Sequence, residues 1–232
     1  MRTQRLLLLS NSTHYRSGYL DHAEGTIRSF LGPRTRVFFV PHALYDRDAY
    51  AARARERFEA TGHALESAHD PGASLDKADA VFVGGGNTFR LLDSLYRGDM
   101  LSAIRHAVRG GMPYIGSSAG SIVAGPTIKT TKDMPVIEPP SFEALDLVPF
   151  QISPHYLDPD PSSTHMGETQ EERIQQYLEE NDRCVVGLRE GAMLIVEGSS
   201  VTLTGVAGAR LFAKIRPPME RLPGDRLDDL LQ

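Results

Sequence analysis

Four runs in the first half of this chain are built on consecutive apolar residues rather than alternating ones, and this restricts its fold more than any other feature. They are "RLLLLSNS" (5–12), "TRVFFVPHA" (35–43), "AVFVGGGN" (80–87) and "PYIGSS" (113–118). Successive side chains of a strand point to opposite faces, so a strand apolar at neighbouring positions must be covered on both sides. Between the runs, 19–31, 49–62 and 101–111 carry apolar residues at helical spacing, and the last two end at glycine. Together these predict an α/β fold: a three-layer arrangement in which a mostly parallel sheet has helices on both faces. In the second half, "FQISPHY" (150–156) and "CVVGLRE" (184–190) read as further strands around a helix over 168–180. "MLIVEGSSVTLTG" (193–205) reads as a hairpin turning at "EGSS", which predicts antiparallel strands near the C-terminus. No linker or repeat divides the 232 residues, so a single domain over 1–232 is expected. Residues 215–232 form a Pro-rich, weakly helical tail expected to be packed or frayed.

Composition excludes several classes of function. A net charge of −5 with scattered Lys and Arg supplies no field for a phosphate backbone, so no nucleic acid partner is expected. The apolar run 6–9 is too short for a signal core or a membrane span, so no membrane association is expected either. The single cysteine, Cys184, cannot form an internal disulfide, which suits a cytoplasmic protein. No cofactor is indicated. A dinucleotide fingerprint beginning Gly84-x-Gly86 fails at Phe89, and there is no GxxxxGK. His165 lies near Asp158 and Asp160 but without regular ligand spacing, so no metal site is expected.

In sheets of this type ligands gather where the strands end, so the residues directly after each apolar run carry the information. Ser118 is the middle of Gly116-Ser117-Ser118-Ala119-Gly120, between a strand and a small-residue run, as a nucleophile elbow requires. The pattern also fits a tight turn without chemistry, and Ser117 reads as structural. A serine needs a base to take its proton. Of eight histidines, His155 directly follows "FQISP" and so shares a rim with Ser118. His14, His22, His42, His63, His69 and His106 read as surface or capping residues. The base in turn needs a carboxylate, and Glu190 ends the strand "CVVGLRE". Asp133 competes, but intervals of 15 and 22 residues from Ser118 and to His155 leave little room for the elements that such a chain order demands. Asp133 therefore reads as a turn or substrate-loop residue.

"LLLLSNST", "VGGGNTF", "GSSAG" followed by "PTIKTTKDMP", "EALDL", "QISPHY", "HMGET" and "LREG" occur in this order between about residues 5 and 215. Together they resemble peptidase E, the α-aspartyl dipeptidases of the S51 serine peptidases. The resemblance implies a fold like class I glutamine amidotransferases and a triad of Ser118, His155 and Glu190. It implies that the glycine turn is half of an oxyanion hole, formed by the N–H groups of Gly86 and Ala119. It also implies a short peptide substrate with N-terminal aspartate, with Asn87, Lys132, Asp133, Gln170 and Arg173 as substrate-binding candidates. The family's "GETR" block has arginine where this chain has Gln170. Arg173, one turn along, and Lys129 or Lys132 in the loop are the alternative cations. A broader or cyanophycinase-like S51 hydrolase and a catalytically silent binding relative stay open, as does a homodimer.

Overall fold

The structure, a computed structural model, describes residues 3–33, 36–164 and 166–232. Its strands are β1 (Arg5–Leu9), β2 (Arg36–Val40), β3 (Ala64–Ser67), β4 (Ala80–Val83), β5 (Tyr114–Ser117), β6 (Gln151–Pro154), β7 (Val185–Leu188), β8 (Ala192–Glu197), β9 (Ser200–Gly205), β10 (Ala209–Ala213) and β11 (Arg216–Arg221). Seven of them form a sheet in the order β3-β2-β4-β5-β1-β8-β9. The five from β3 to β1 are parallel; β8 and β9 continue the sheet antiparallel, with Glu197 paired to Ser200 across the hairpin turn.

The burial of β1 explains its unbroken apolar run. Leu6 and Leu8 enter one hydrophobic cluster and Leu7 and Leu9 enter another on the opposite face, all four fully buried. β2 and β4 divide in the same way, with Phe39 and Phe82 on the second face and Val40, Val81 and Val83 on the first. Helices α1 (Glu24–Leu31) and α2 (Arg47–Ala60) cover one face through Ile27, Phe30, Tyr50 and Phe58. On the other face lie α3 (Thr88–Arg97), α4 (Met100–Arg109) and the four-residue α5 (Ala119–Ile122). The expected three-layer α/β arrangement is thus present, with α3 a helix that the sequence pattern did not single out.

The sequence also did not separate the strands into two sheets. β6 and β7 pair in parallel, and with the antiparallel β10 and β11 they form a second, four-stranded sheet. One face of it adds Ile152, Val186, Leu188 and Leu211 to the first cluster, beside α3 to α5. Its other face packs Val185 and Phe212 against Ile174 and Leu178 of α6 (Gln170–Glu180). The helix expected over 168–180 starts two residues later because Thr169 is its cap. The Thr169 hydroxyl accepts from the Glu172 N–H, and the Glu172 carboxylate accepts from the Thr169 N–H.

The C-terminal segment is packed rather than frayed. It begins as strand β11, hidden in sequence by Pro217 and Pro218, which an edge strand tolerates because one side of it needs no ladder bonds. It ends in a short 3-10 turn over Asp228–Leu231, held to β9 by the buried Leu227 and by the Asp228 carboxylate accepting from the Val201 N–H. Among the described residues no helix is long and apolar enough to cross a membrane.

Candidate active site

β5 ends at Ser117, and the chain turns through Ser118 into α5 with φ +51° and ψ −109° at Ser118, a backbone conformation that a non-glycine residue rarely adopts. The turn is possible because its neighbours are small. A Cβ on Gly120 would lie 2.0 Å from the Val83 carbonyl oxygen, so only glycine lets α5 sit this close to β4. The turn is fastened by the Ser118 N–H donating to the Leu9 carbonyl and by the Ser121 hydroxyl donating to the Leu9 and Gly116 carbonyls. Ser117 is fully buried, and its hydroxyl has no hydrogen-bond partner among the described residues.

The glycine turn after β4 closes over the same point. A Cβ on Gly85 would meet Ser118 Cβ at 3.0 Å and the Ser117 carbonyl oxygen at 3.1 Å. Gly86, at φ +133°, and Ala119 keep backbone N–H groups that donate to no acceptor among the described residues. Asn87 starts α3 as its N-cap: its Oδ1 accepts from the Arg90 N–H and its Nδ2 donates to the Met134 carbonyl. Asp133 does not reach the histidine line. Its carboxylate accepts from the Thr88 N–H and hydroxyl, 2.7 and 2.6 Å away, and so ties the 127–136 loop to the start of α3.

The second sheet supplies the partners of Ser118. β6 and β7 run side by side, Pro154 opposite Leu188, so the residues after them emerge at one edge. His155 Nε2 lies 2.8 Å from Ser118 Oγ, and His155 Nδ1 lies 2.8 Å from Glu190 Oε1. His155 itself has φ +52°. Its carbonyl accepts from Lys132 Nζ and Gln170 Nε2, while Gln170 Oε1 accepts from the Leu157 N–H. The first side chain of α6 therefore straps the histidine segment, a use of Gln170 that no sequence motif announces. Arg189, next to Glu190, holds Asp158 through two bonds of 2.8 Å and also pairs with Glu220 on β11. Its guanidinium keeps the Asp158 carboxyl below the usual carboxylate range.

Behind the His155 carbonyl is a pocket of about 80 Å³ lined by Lys129, Thr131, Lys132, Gln170, Arg173 and Tyr177 among others, with three cations and no carboxylate in its described lining. Lys132 stays partly open to solvent, yet the loss of water around its ammonium, folded against the Pro154 and His155 carbonyls, pushes its pKa down to about 8. Arg173 faces Glu168 at 3.7 Å, both more than half exposed, a contact too loose to occupy its charge.

Two of the histidines expected at the surface are instead buried. His42 and His63 are 6% and 4% exposed, and burial lowers the His42 pKa to about 4, which keeps it neutral. A polar letter in a connecting segment does not reveal what closes over it: His63, between α2 and β3, packs against Phe58 of α2. Among the described residues no group of three or more His, Cys, Asp or Glu could hold a metal ion; His165 lies outside the described residues.

A hydroxyl, an imidazole and a carboxylate in one unbroken line where strands of two sheets end are the equipment of a serine hydrolase. Residues 6–204 match the profile of peptidase family S51. The chain is 56% identical to peptidase E of Streptomyces coelicolor over 97% of this chain and 94% of the relative. It is 46% identical to a probable α-aspartyl dipeptidase of Drosophila melanogaster over 99% and 98% of the two chains. The chain belongs to peptidase family S51 and is a peptidase. Its fold is shared with the crystal structure of a peptidase from an acI-B1 actinobacterium, with a TM-score of 0.70 and 15% identity over 97% of this chain and 96% of that one.

Proposed function

We propose that the protein is a serine dipeptidase that cleaves after an N-terminal aspartate through an acyl-enzyme, with Ser118, His155 and Glu190 as its triad. The observation that carries this reading is the Ser118–His155–Glu190 line, 2.8 Å on either side of the imidazole. A carboxylate at Nδ1 selects the tautomer with its proton there, leaving Nε2 free to accept the serine proton. Ser118 Oγ then attacks the carbonyl carbon of the peptide bond as Nε2 takes its proton. The Gly86 and Ala119 N–H groups, unused by the fold, receive the oxyanion; such a donor typically contributes about 3 kcal/mol to the transition state. The imidazolium returns its proton to the leaving amine, and water repeats the sequence to free the acyl group.

The acidic specificity rests on the cationic pocket behind His155. With Gln170 engaged in strapping residues 155–157, the cations left to receive the substrate's β-carboxylate are Lys129, Arg173 and Lys132, whose ammonium has a third N–H beyond the two that serve the Pro154 and His155 carbonyls. Asn87 and Asp133 serve the site indirectly, by fixing the loop that carries Lys132. The name of the Drosophila relative supports the same substrate class. A cytoplasmic location belongs to this proposal and rests on the lone Cys184; recovery in the membrane or secreted fraction would speak against it.

The deciding experiment is hydrolysis of dipeptides that differ only in the N-terminal residue. Aspartyl substrates should exceed asparaginyl ones by at least about tenfold in kcat/KM, the effect of losing one charged hydrogen bond, and Lys132→Met should shrink that ratio. Equal rates for Asp and Asn would remove the aspartyl assignment. An active Ser118→Ala would remove the serine mechanism.

A further inference from the structure

The end of β1 touches every segment that carries a member of the triad, although none of its residues belongs to the triad. The Leu9 carbonyl accepts from the Ser118 N–H at 3.0 Å. The Ser10 hydroxyl, fully buried, accepts from the His155 N–H at 2.9 Å and donates to the Leu188 carbonyl at 2.8 Å. Asn11, 1% exposed, accepts at Oδ1 from the Gly191 N–H at 2.8 Å and donates from Nδ2 to the Thr13 carbonyl. Three consecutive residues, the last of β1 and the two that follow it, therefore register the nucleophile, the base and the acid, and the last two of these contacts are made by side chains.

We propose that Ser10 and Asn11 are positioning residues for the reaction, setting the His155–Glu190 pair of the second sheet against Ser118 of the first. The inference rests on the triad assigned above. His155 and Glu190 follow strands of one sheet and Ser118 follows a strand of the other, and among the described residues no backbone ladder joins the two sheets. A 2.8 Å contact between Oγ and Nε2 across such a joint has to be fixed by something other than sheet pairing. His155 is also held at φ +52°, a conformation that needs its N–H and C=O to be fastened. Ser10 fastens the N–H, while Lys132 and Gln170 fasten the C=O. On the acid side, Asn11 holds the N–H directly after Glu190, so a change at Asn11 moves the carboxylate that orients the ring. Neither Ser10 nor Asn11 touches the reacting atoms; both act through the residues they hold.

The test compares Ser10→Ala and Asn11→Ala with the wild-type protein and with Ser118→Ala. Misplacing a base by an ångström or less lowers turnover by about 10- to 100-fold, so kcat should fall by that amount in Ser10→Ala with KM within about twofold. The far-downfield proton resonance of the His155 Nδ1–H, bonded to Glu190, should shift or broaden at a temperature where the variant is fully folded. The acid limb of its kcat/KM profile should move as well. Should Ser10→Ala not fold, Asn11→Ala carries the same readouts. Wild-type kcat with an unmoved resonance and profile in whichever variant is folded, whatever its melting temperature, would reduce these residues to ordinary core bonds and overturn the proposal. An inactive Ser118→Ala beside a fully active Ser10→Ala would overturn this inference alone; an active Ser118→Ala would overturn the triad beneath it.

Discussion

The active site has two walls, and they are held by different forces. The wall from the large sheet, Gly84–Asn87 with Ser117–Gly120, is fixed by close backbone packing, Gly85 against Ser118 and Gly120 against Val83, and by buried neutral hydrogen bonds from Ser121 and to Tyr50, with fully buried strands β4 and β5 beneath. The wall from the small sheet, His155 to Leu157 with Arg189 and Glu190, is fixed by side chains: Ser10, Lys132, Gln170 and the Arg189–Asp158–Glu220 group. Close packing and neutral hydrogen bonds are insensitive to pH and salt, whereas a lysine whose pKa lies near 8 and partly exposed ion pairs are not. The nucleophile is thus held on the rigid wall, and the parts that move protons and choose substrate are on the adjustable one.

The sharpest way to break this division is to remove one member from each wall. Ser118→Ala should lower turnover by about four to six powers of ten while thermal unfolding stays within a few degrees of wild type, since one oxygen is lost from a turn held by its backbone. Glu190→Gln should come next, costing about three powers of ten in kcat because the amide no longer selects the productive imidazole tautomer. Asp133→Asn, which loosens only the loop at Thr88, should act on KM; if it abolishes kcat while Glu190→Gln spares it, the acid has been misassigned.

Smaller effects should separate packing from polar support. Gly85→Ala forces a Cβ to 3.0 Å from Ser118 Cβ and should cost about 100-fold in kcat at every pH from 6 to 9. Gln170→Ala, which releases the His155 carbonyl and the Leu157 N–H, should cost about tenfold; a larger loss than that of Gly85→Ala would reverse the ranking of the two walls. An effect of similar size is expected on pH. Lys132 carries its charge below about 8 and loses it above, so the Asp-over-Asn ratio in kcat/KM, which reports the free enzyme, should decline by about tenfold as pH rises from 7 to 9. A ratio that stays flat over that range removes Lys132 from the recognition and leaves it to the other cations of the pocket, Arg173 and Lys129.

The same division decides what could be read from the sequence. Ser118 was legible because close packing demands glycines at fixed spacing, and those glycines are letters in the chain. His155 and Glu190 were legible as positions, each directly after or near the end of an apolar run, though the strands holding them proved to form a sheet of their own. Apolar strands look alike whichever sheet they join, so residues 151–154 and 185–188 gave no sign of the second layer. The supports on this wall left less trace. Ser10 reads as an ordinary turn residue and Gln170 as a missing arginine, since a hydrogen bond between residues 145 positions apart has no local pattern. The same holds for β10 and β11, whose pairing is visible only once β7 is there to receive it.

Ser118 and His155 share one more property, the positive φ recorded at both. Each such residue costs of order 1–3 kcal/mol relative to a relaxed backbone, and glycine would remove most of that cost. The two residues that do the chemistry are therefore two of the places where the chain is held against its own preference. A variant with glycine at either position should melt higher than the active protein while losing several powers of ten in turnover. Stability and activity are therefore opposed at these two positions, and the working enzyme carries its strain where it carries its chemistry.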